Sequence, residues 1–190
     1  MKIITGAFKG RSLKTISGQG CRPAMSKVRQ ALFSMLEARG VQWPQTRVLD
    51  MFAGSGSLGL EALSRGASFA AFIEADPKAG AQIRANAERF GILADRHAVW
   101  VGTAGCITAK PCATPFQVIF IDPPYGRDLL TPALRAVISK GWLAEGGILN
   151  AELESRLPFA PERMHPALAC LADKTYGQTR VVVWQLSTNA

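Results

Sequence analysis

The sequence predicts an α/β fold: a seven-stranded, mostly parallel sheet with a C-terminal antiparallel hairpin, preceded by a small N-terminal β-hairpin/helix extension. Three observations predict it. Past residue 45, short apolar runs alternate with longer stretches of helical periodicity, as parallel strands linked by crossover helices require. Glycine and proline mark the ends of those helical stretches. The last two apolar runs are joined through Tyr176-Gly177-Gln178, with no helical segment between them.

Taken in order, strands are expected at 47–52, 69–74, 98–102, 116–122 and 147–151. Helices are expected at 57–65, 77–90 and 128–140, with Pro77 suited to a first turn and Gly66, Gly91 and Gly141 to C-terminal stops. Residues 167–173 and 179–186 then form the antiparallel pair. At the other end, KIITGAFKGRSLKT has two β-prone runs around Gly6 and Gly10 and reads as a hairpin. Ser26 to Arg39 reads as an amphipathic helix, with Ser26 as N-cap and Val28, Ala31, Leu32, Met35 and Leu36 on one face. The chain thus divides into a basic extension, 1–45, and a main domain, 46–190.

A chain of 190 residues, 48% hydrophobic, can bury a substantial core. It shows no charged-then-apolar leader pattern and no apolar run near the roughly 20 residues that span a bilayer, so a soluble, cytoplasmic protein is expected. A monomer is expected as well. Cys21, Cys106, Cys112 and Cys170 form no C-x-x-C pair, so no metal site is expected. Charge is the informative bulk property. Residues 1–49 hold nine Lys and Arg against Glu37 alone, whereas the remainder balances 13 basic with 13 acidic residues, so the whole excess of +8 lies in the first quarter. Such segregation favours contact with a phosphate backbone, with Lys9, Arg11, Arg22, Lys27 and Arg29 as candidate nucleic-acid-binding residues.

The stretch VLDMFAGSGSLG carries a G-x-G-x-x-G at Gly54, Gly56 and Gly59, with Glu74 placed 20 residues after Gly54. Glycines after a strand let a ligand approach the backbone without naming it. Asp50 discriminates. A carboxylate about 5 Å from a pyrophosphate is repelled by about 3 kcal/mol per charge at an effective dielectric near 20, and attracted equally by an ammonium or sulfonium. S-adenosylmethionine has both cations and no phosphate, so the loop suits it better than NAD. Glu74, ending the second strand, can accept from ribose hydroxyls in either cofactor.

Asp122-Pro123-Pro124-Tyr125 comes after the strand FQVIFI and falls at the carboxyl edge of the sheet. Two prolines preset the backbone and lack N–H groups, so the loop offers acceptors to a donor such as an exocyclic amine on a base. Asp122 and the Pro123 carbonyl can take the two amine hydrogens and aim the nitrogen at a sulfonium methyl. Tyr125 can stack on the extruded base.

With IITGAFKGRSL, RPAMSKVRQALF, VLDMFAGSGSLGLEALSRGA, FIEAD, VIFIDPPYG and KTYGQTRVVVWQL in view, the chain resembles the class I, Rossmann-like amino-methyltransferases. More closely, it resembles the bacterial RsmD family of 16S ribosomal RNA guanine-N2 methyltransferases. The resemblance implies that Phe52, Gly54, Gly56 and Glu74 line the S-adenosylmethionine pocket and that Asp122, Pro123 and Tyr125 receive guanine. It also implies a substrate within the small ribosomal subunit or its assembly intermediate. Two departures stand out. Arg22-Pro23-Ala24-Met25-Ser26 replaces the family's usual R-P-T-T-D, and Gly102-Thr103-Ala104 replaces an acid or amide near the adenine amine, leaving Thr103 and Ala104 as backbone contacts.

Three other readings compete. A DNA adenine-N6 or cytosine-N4 methyltransferase could use the same D-P-P-Y, although the chain has little room for a base-reading domain. A non-catalytic RNA-binding assembly factor could use the same scaffold. An NAD oxidoreductase is opposed by Asp50 and by the lack of an evident hydride-transfer acid or base.

Overall fold

The computed structural model describes residues 1–15 and 23–187, with the side chains of residues 23–25 and 162 left undescribed. Two compact units emerge, Met1–Gly102 and Thr103–Ala190.

The first unit contains α1 (Pro23–Ala38), β1 (Arg47–Met51), α2 (Ser57–Ser64), β2 (Phe69–Glu74), α3 (Pro77–Phe90) and β3 (His97–Val101). Its strands lie in the order β3-β2-β1 and all pair in parallel. Val48, Leu49, Met51, Ala70, Ala71 and Phe72 are buried, as parallel strands covered on both faces must be. In α3, the Asp76 side chain accepts from the Lys78 N–H at 2.8 Å, Pro77 occupies the first turn and left-handed Gly91 closes the last. The helix therefore starts and stops where predicted. α1 does not: it starts at Pro23, which puts Ser26 inside the helix rather than at its cap. A proline has the fixed φ of a first turn and lacks the N–H that would go unpaired there, so it begins the helix without a serine.

The N-terminal hairpin is present as one antiparallel bridge, Lys2 with Ser12, supported by Ile3 N–H to the Arg11 carbonyl at 3.0 Å and Gly10 N–H to the Ile3 carbonyl at 2.9 Å. Buried polar groups bind it to the unit. Glu61 accepts from the Ile4 and Thr5 N–H groups at 2.7 and 3.0 Å, while the Asn86 amide both accepts from and donates to the Lys14 backbone.

The second unit contains α4 (Ala104–Thr108), β4 (Phe116–Ile121), α5 (Leu130–Ser139), β5 (Leu143–Glu154), β6 (Leu168–Tyr176) and β7 (Thr179–Leu186). β4 and β5 are parallel, β7 runs antiparallel to β5 and β6 antiparallel to β7, in the order β4-β5-β7-β6. The seven strands thus have the mostly parallel pairing and the C-terminal antiparallel hairpin that the sequence predicts. β5 starts earlier than expected because Gly146 and Gly147 form an irregularity within the strand instead of its beginning: the register against β4 shifts between Phe116 and Val118. Among the described residues, no helix is long and apolar enough to cross a membrane.

Candidate active site

The first loop begins where β1 ends. Asp50, only 2% exposed, accepts from the Gly59 N–H at 2.9 Å. Gly59 is the third residue of α2, and the N-cap Gly56 has no side chain to offer, so Asp50 caps that helix from the strand. Gly56 sits at φ 73°, a left-handed conformation that suits glycine. Gly59 is required for a different reason: a Cβ there would stand 2.3 Å from the Phe72 ring, so this third glycine serves helix–strand packing. Glu74, ending β2, fastens the loop from outside, its Oε2 accepting from the Gly54 N–H at 2.6 Å and its Oε1 from the Asp76 N–H at 2.8 Å. Phe52, half-buried, is held at φ 59°, an uncommon conformation for an aromatic residue. Asp50, Phe52, Gly54, Gly56 and Glu74 are thus gathered at the carboxyl ends of β1 and β2.

In the second unit, Asp122 comes directly after β4. Its residue is half-buried, and burial pushes the carboxyl up to about 6. Pro123 is buried, Pro124 exposed, and Tyr125 47% exposed, with its hydroxyl 3.2 Å from Thr179 Oγ1. Burial raises the Tyr125 pKa, and the charges of Asp122, Glu152 and Glu154 raise it further against the lowering effect of the Thr179 hydrogen bond. An aromatic face, a desolvated carboxylate and a proline carbonyl thus lie within one short loop. Thr103 caps α4, its Oγ1 accepting from the Cys106 N–H at 3.3 Å, and Ala104 is buried.

The family described as Conserved hypothetical protein 95 matches residues 1–185. Ribosomal RNA small subunit methyltransferase D of Escherichia coli K12 is 36% identical over 163 residues, covering 85% of this chain and 79% of its own. The Haemophilus influenzae protein of the same name is 31% identical over 191 residues, covering 100% and 94%. The chain belongs to this family, the RsmD family of class I methyltransferases. The solved structure of yhhF from Escherichia coli superposes with a TM-score of 0.84 at 33% identity, covering 100% of this chain and 99% of that one.

S-adenosylmethionine is the cofactor of these RsmD-type enzymes, and the first unit fits it. A diphosphate bound at the α2 N-terminus would meet the Asp50 carboxylate already seated on the Gly59 N–H. Carboxylates at the ends of β1 and β2, with no basic residue from Asp50 to Gly59, suit a cationic amino acid and a ribose.

The basic residues of this RsmD member divide sharply. Lys9 and Lys27 are exposed. Arg29 is 4% exposed and its Nη2 donates to the Lys2 carbonyl at 2.6 Å, so it is a correction to the predicted RNA surface: it anchors the N-terminal segment from inside. Arg11 is exposed, but its guanidinium donates to the Arg89 and Phe90 carbonyls at 2.5 and 3.3 Å and stacks on the Phe90 ring at 4.6 Å. Those carbonyls close α3, where a cation is favoured by the helix dipole. Arg22 lies outside the described residues. Sequence reasoning also missed Glu152, Glu154 and Thr179, which reach Tyr125 only through strand pairing.

Proposed function

We propose that this protein transfers a methyl group from S-adenosylmethionine to the exocyclic N2 amine of a guanine in small-subunit ribosomal RNA. The observation that carries the reading is the loop after β4, where a desolvated Asp122, the Pro123 carbonyl and an exposed Tyr125 occur together. The relatives' names, ribosomal RNA small subunit methyltransferase D, support the RNA class. When bound, the cofactor supplies an electrophilic methyl on a sulfonium.

The residues of the chain do the rest. Asp50, Phe52, Gly54, Gly56 and Glu74, with the backbone of Thr103 and Ala104, hold the cofactor. Asp122 and the Pro123 carbonyl accept the two amine hydrogens, which orients the nitrogen lone pair and stabilises positive charge as it develops there. The ionised Asp122 takes the surplus proton as the nitrogen gains the methyl group. Tyr125 stacks on the extruded base. Asp122 must be ionised to accept in this way. Residues 1–45 act as the RNA-contacting extension, with Lys9 and Lys27 on phosphates, while 46–190 form the methyltransferase domain. The protein acts as a cytoplasmic monomer on 16S RNA in the small subunit or its assembly intermediate.

Tritiated methyl transfer to 30S particles, naked 16S RNA and duplex DNA tests the reading, with digestion of the labelled acceptor to nucleosides. Label in N2-methylguanosine from the particles or the RNA is expected. Incorporation into DNA alone sinks it.

A further inference from the structure

β5 carries an acidic pair whose place in the sheet gives it a task. β4 and β5 pair through Ile121 and Ala151, so the next residues along each, Asp122 and Glu152, stand side by side at the carboxyl end of these parallel strands. Laterally paired residues share a face of the sheet, at a spacing of about 4.8 Å between strands. β5 pairs with β7 through Glu152 with Val181 and Glu154 with Thr179, and Thr179 Oγ1 lies 3.2 Å from the Tyr125 hydroxyl. Asp122, Glu152, Glu154 and Thr179 therefore occupy one face, with Tyr125 reaching across it. The Tyr125 hydroxyl senses the charge of all three carboxylates, which agrees with that grouping. Two positions before Glu152, on the same face, Asn150 is fully buried: its amide nitrogen donates to the Val182 carbonyl at 3.3 Å and its Oδ1 has no hydrogen-bond partner among the described residues. The face is rich in acceptors.

The geometry points to Glu152 as the specificity-determining residue that accepts the ring N1–H of guanine beside the amine held by Asp122, so that the pair admits guanine and rejects adenine and cytosine. The inference rests on the guanine-N2 reading above and deepens it. Guanine presents two donors in succession along its Watson–Crick edge, N1–H and the N2 amine. Adenine and cytosine each place an acceptor nitrogen next to their amine, and its lone pair opposes the Glu152 carboxylate. A buried polar group left facing the wrong partner discriminates far more strongly than shape alone. Asp122 and the proline carbonyl serve any exocyclic amine, and Glu152 narrows the choice.

2-Aminopurine separates the two roles, because it keeps the N2 amine but has an acceptor at N1. The target position is first mapped as N2-methylguanosine in labelled 16S RNA. Ligated 16S RNA carrying guanine or 2-aminopurine at that position, reconstituted into 30S particles, then serves as acceptor for wild type and Glu152→Gln. Wild type should prefer guanine by about 100-fold or more in kcat/KM. Glu152→Gln can accept from guanine or donate to 2-aminopurine, so its preference should collapse to within about fivefold, while thermal unfolding and S-adenosylhomocysteine affinity stay at wild-type values. An unchanged preference in Glu152→Gln overturns the assignment and leaves the guanine-N2 reading intact. Absence of N2-methylguanosine with wild type overturns both. Should Glu152→Gln fail to fold, Glu152→Asp withdraws the carboxylate by one methylene; its preference must also fall, and an undiminished one overturns the assignment.

Discussion

Asp50 and Asp122 each stand at the carboxyl end of a parallel strand, ahead of a short motif, and the fold uses them in opposite ways. Asp50 is buried and commits an oxygen to the Gly59 N–H, so its charge is compensated by the start of α2. Asp122 is half-buried, and burial lifts its carboxyl to about 6. One acid is satisfied by the chain; the other bears a desolvation cost and awaits a donor. The difference lies in the next few residues of each loop: a glycine turn into a helix supplies N–H groups, whereas two prolines supply none.

The largest expected effect breaks the comparison at the second acid. Asp122→Ala should lower kcat on the order of 10³-fold, about 4 kcal/mol on the barrier, as for loss of an electrostatic stabiliser in a preorganised site. S-adenosylhomocysteine affinity should stay within twofold by calorimetry. Asp50→Ala should instead weaken S-adenosylhomocysteine binding and lower stability by about 2 kcal/mol in urea unfolding, because the Gly59 N–H is left buried without an acceptor. Exchange of these phenotypes, with Asp122→Ala unfolding and Asp50→Ala merely slow, would overturn the division of labour.

A subtler test uses pH. Asp122 accepts hydrogens only when ionised, so kcat/KM should fall about tenfold per pH unit below about 6 and level off above it. Stability runs the other way. A carboxyl raised from 3.8 to about 6 favours the protonated fold, so its contribution is present below the ordinary carboxyl range and lost as pH rises through about 6. Asp122→Asn removes that titration. Its rate, lower throughout, should show no step near pH 6, and at pH 7.5 it should be more stable than wild type by roughly 1–2 kcal/mol. A pH–rate step that survives in Asp122→Asn would assign the titration to another group.

Much of this was legible in the sequence. The parallel strands announce themselves as apolar runs, and α3 spans Pro77–Phe90 as read, because Pro77 and Gly91 act through their own backbone and need no partner. The two motifs were legible for the same reason. What the sequence hid depends on partners far along the chain. Asp50 caps a helix whose third residue lies nine positions on. Arg29 looked like its exposed neighbour Lys27, and only the path of the first residues over α1 turns it inward to the Lys2 carbonyl. Glu152 and Thr179 were invisible because an antiparallel register, not a local pattern, brings them to Tyr125.

The aromatic residues of the two loops carry the comparison to its smallest effect. Phe52 is held by its own backbone, at φ 59°, whereas Tyr125 is exposed and its hydroxyl is tied to Thr179. An exposed neutral hydrogen bond is worth about 0.5–1 kcal/mol. Tyr125→Phe keeps the stacking face and loses only that tie, so KM for the RNA should rise about two- to fivefold with kcat nearly held, the pattern of lost uniform binding. Thr179→Val should have the same effect from the other side. If the hydroxyl acts only by orienting the ring, the double variant is no worse than either single one. Additive losses would mean instead that the Tyr125 hydroxyl and Thr179 each touch the substrate independently, and the second loop would then hold its base by more than a carboxylate, a carbonyl and a ring.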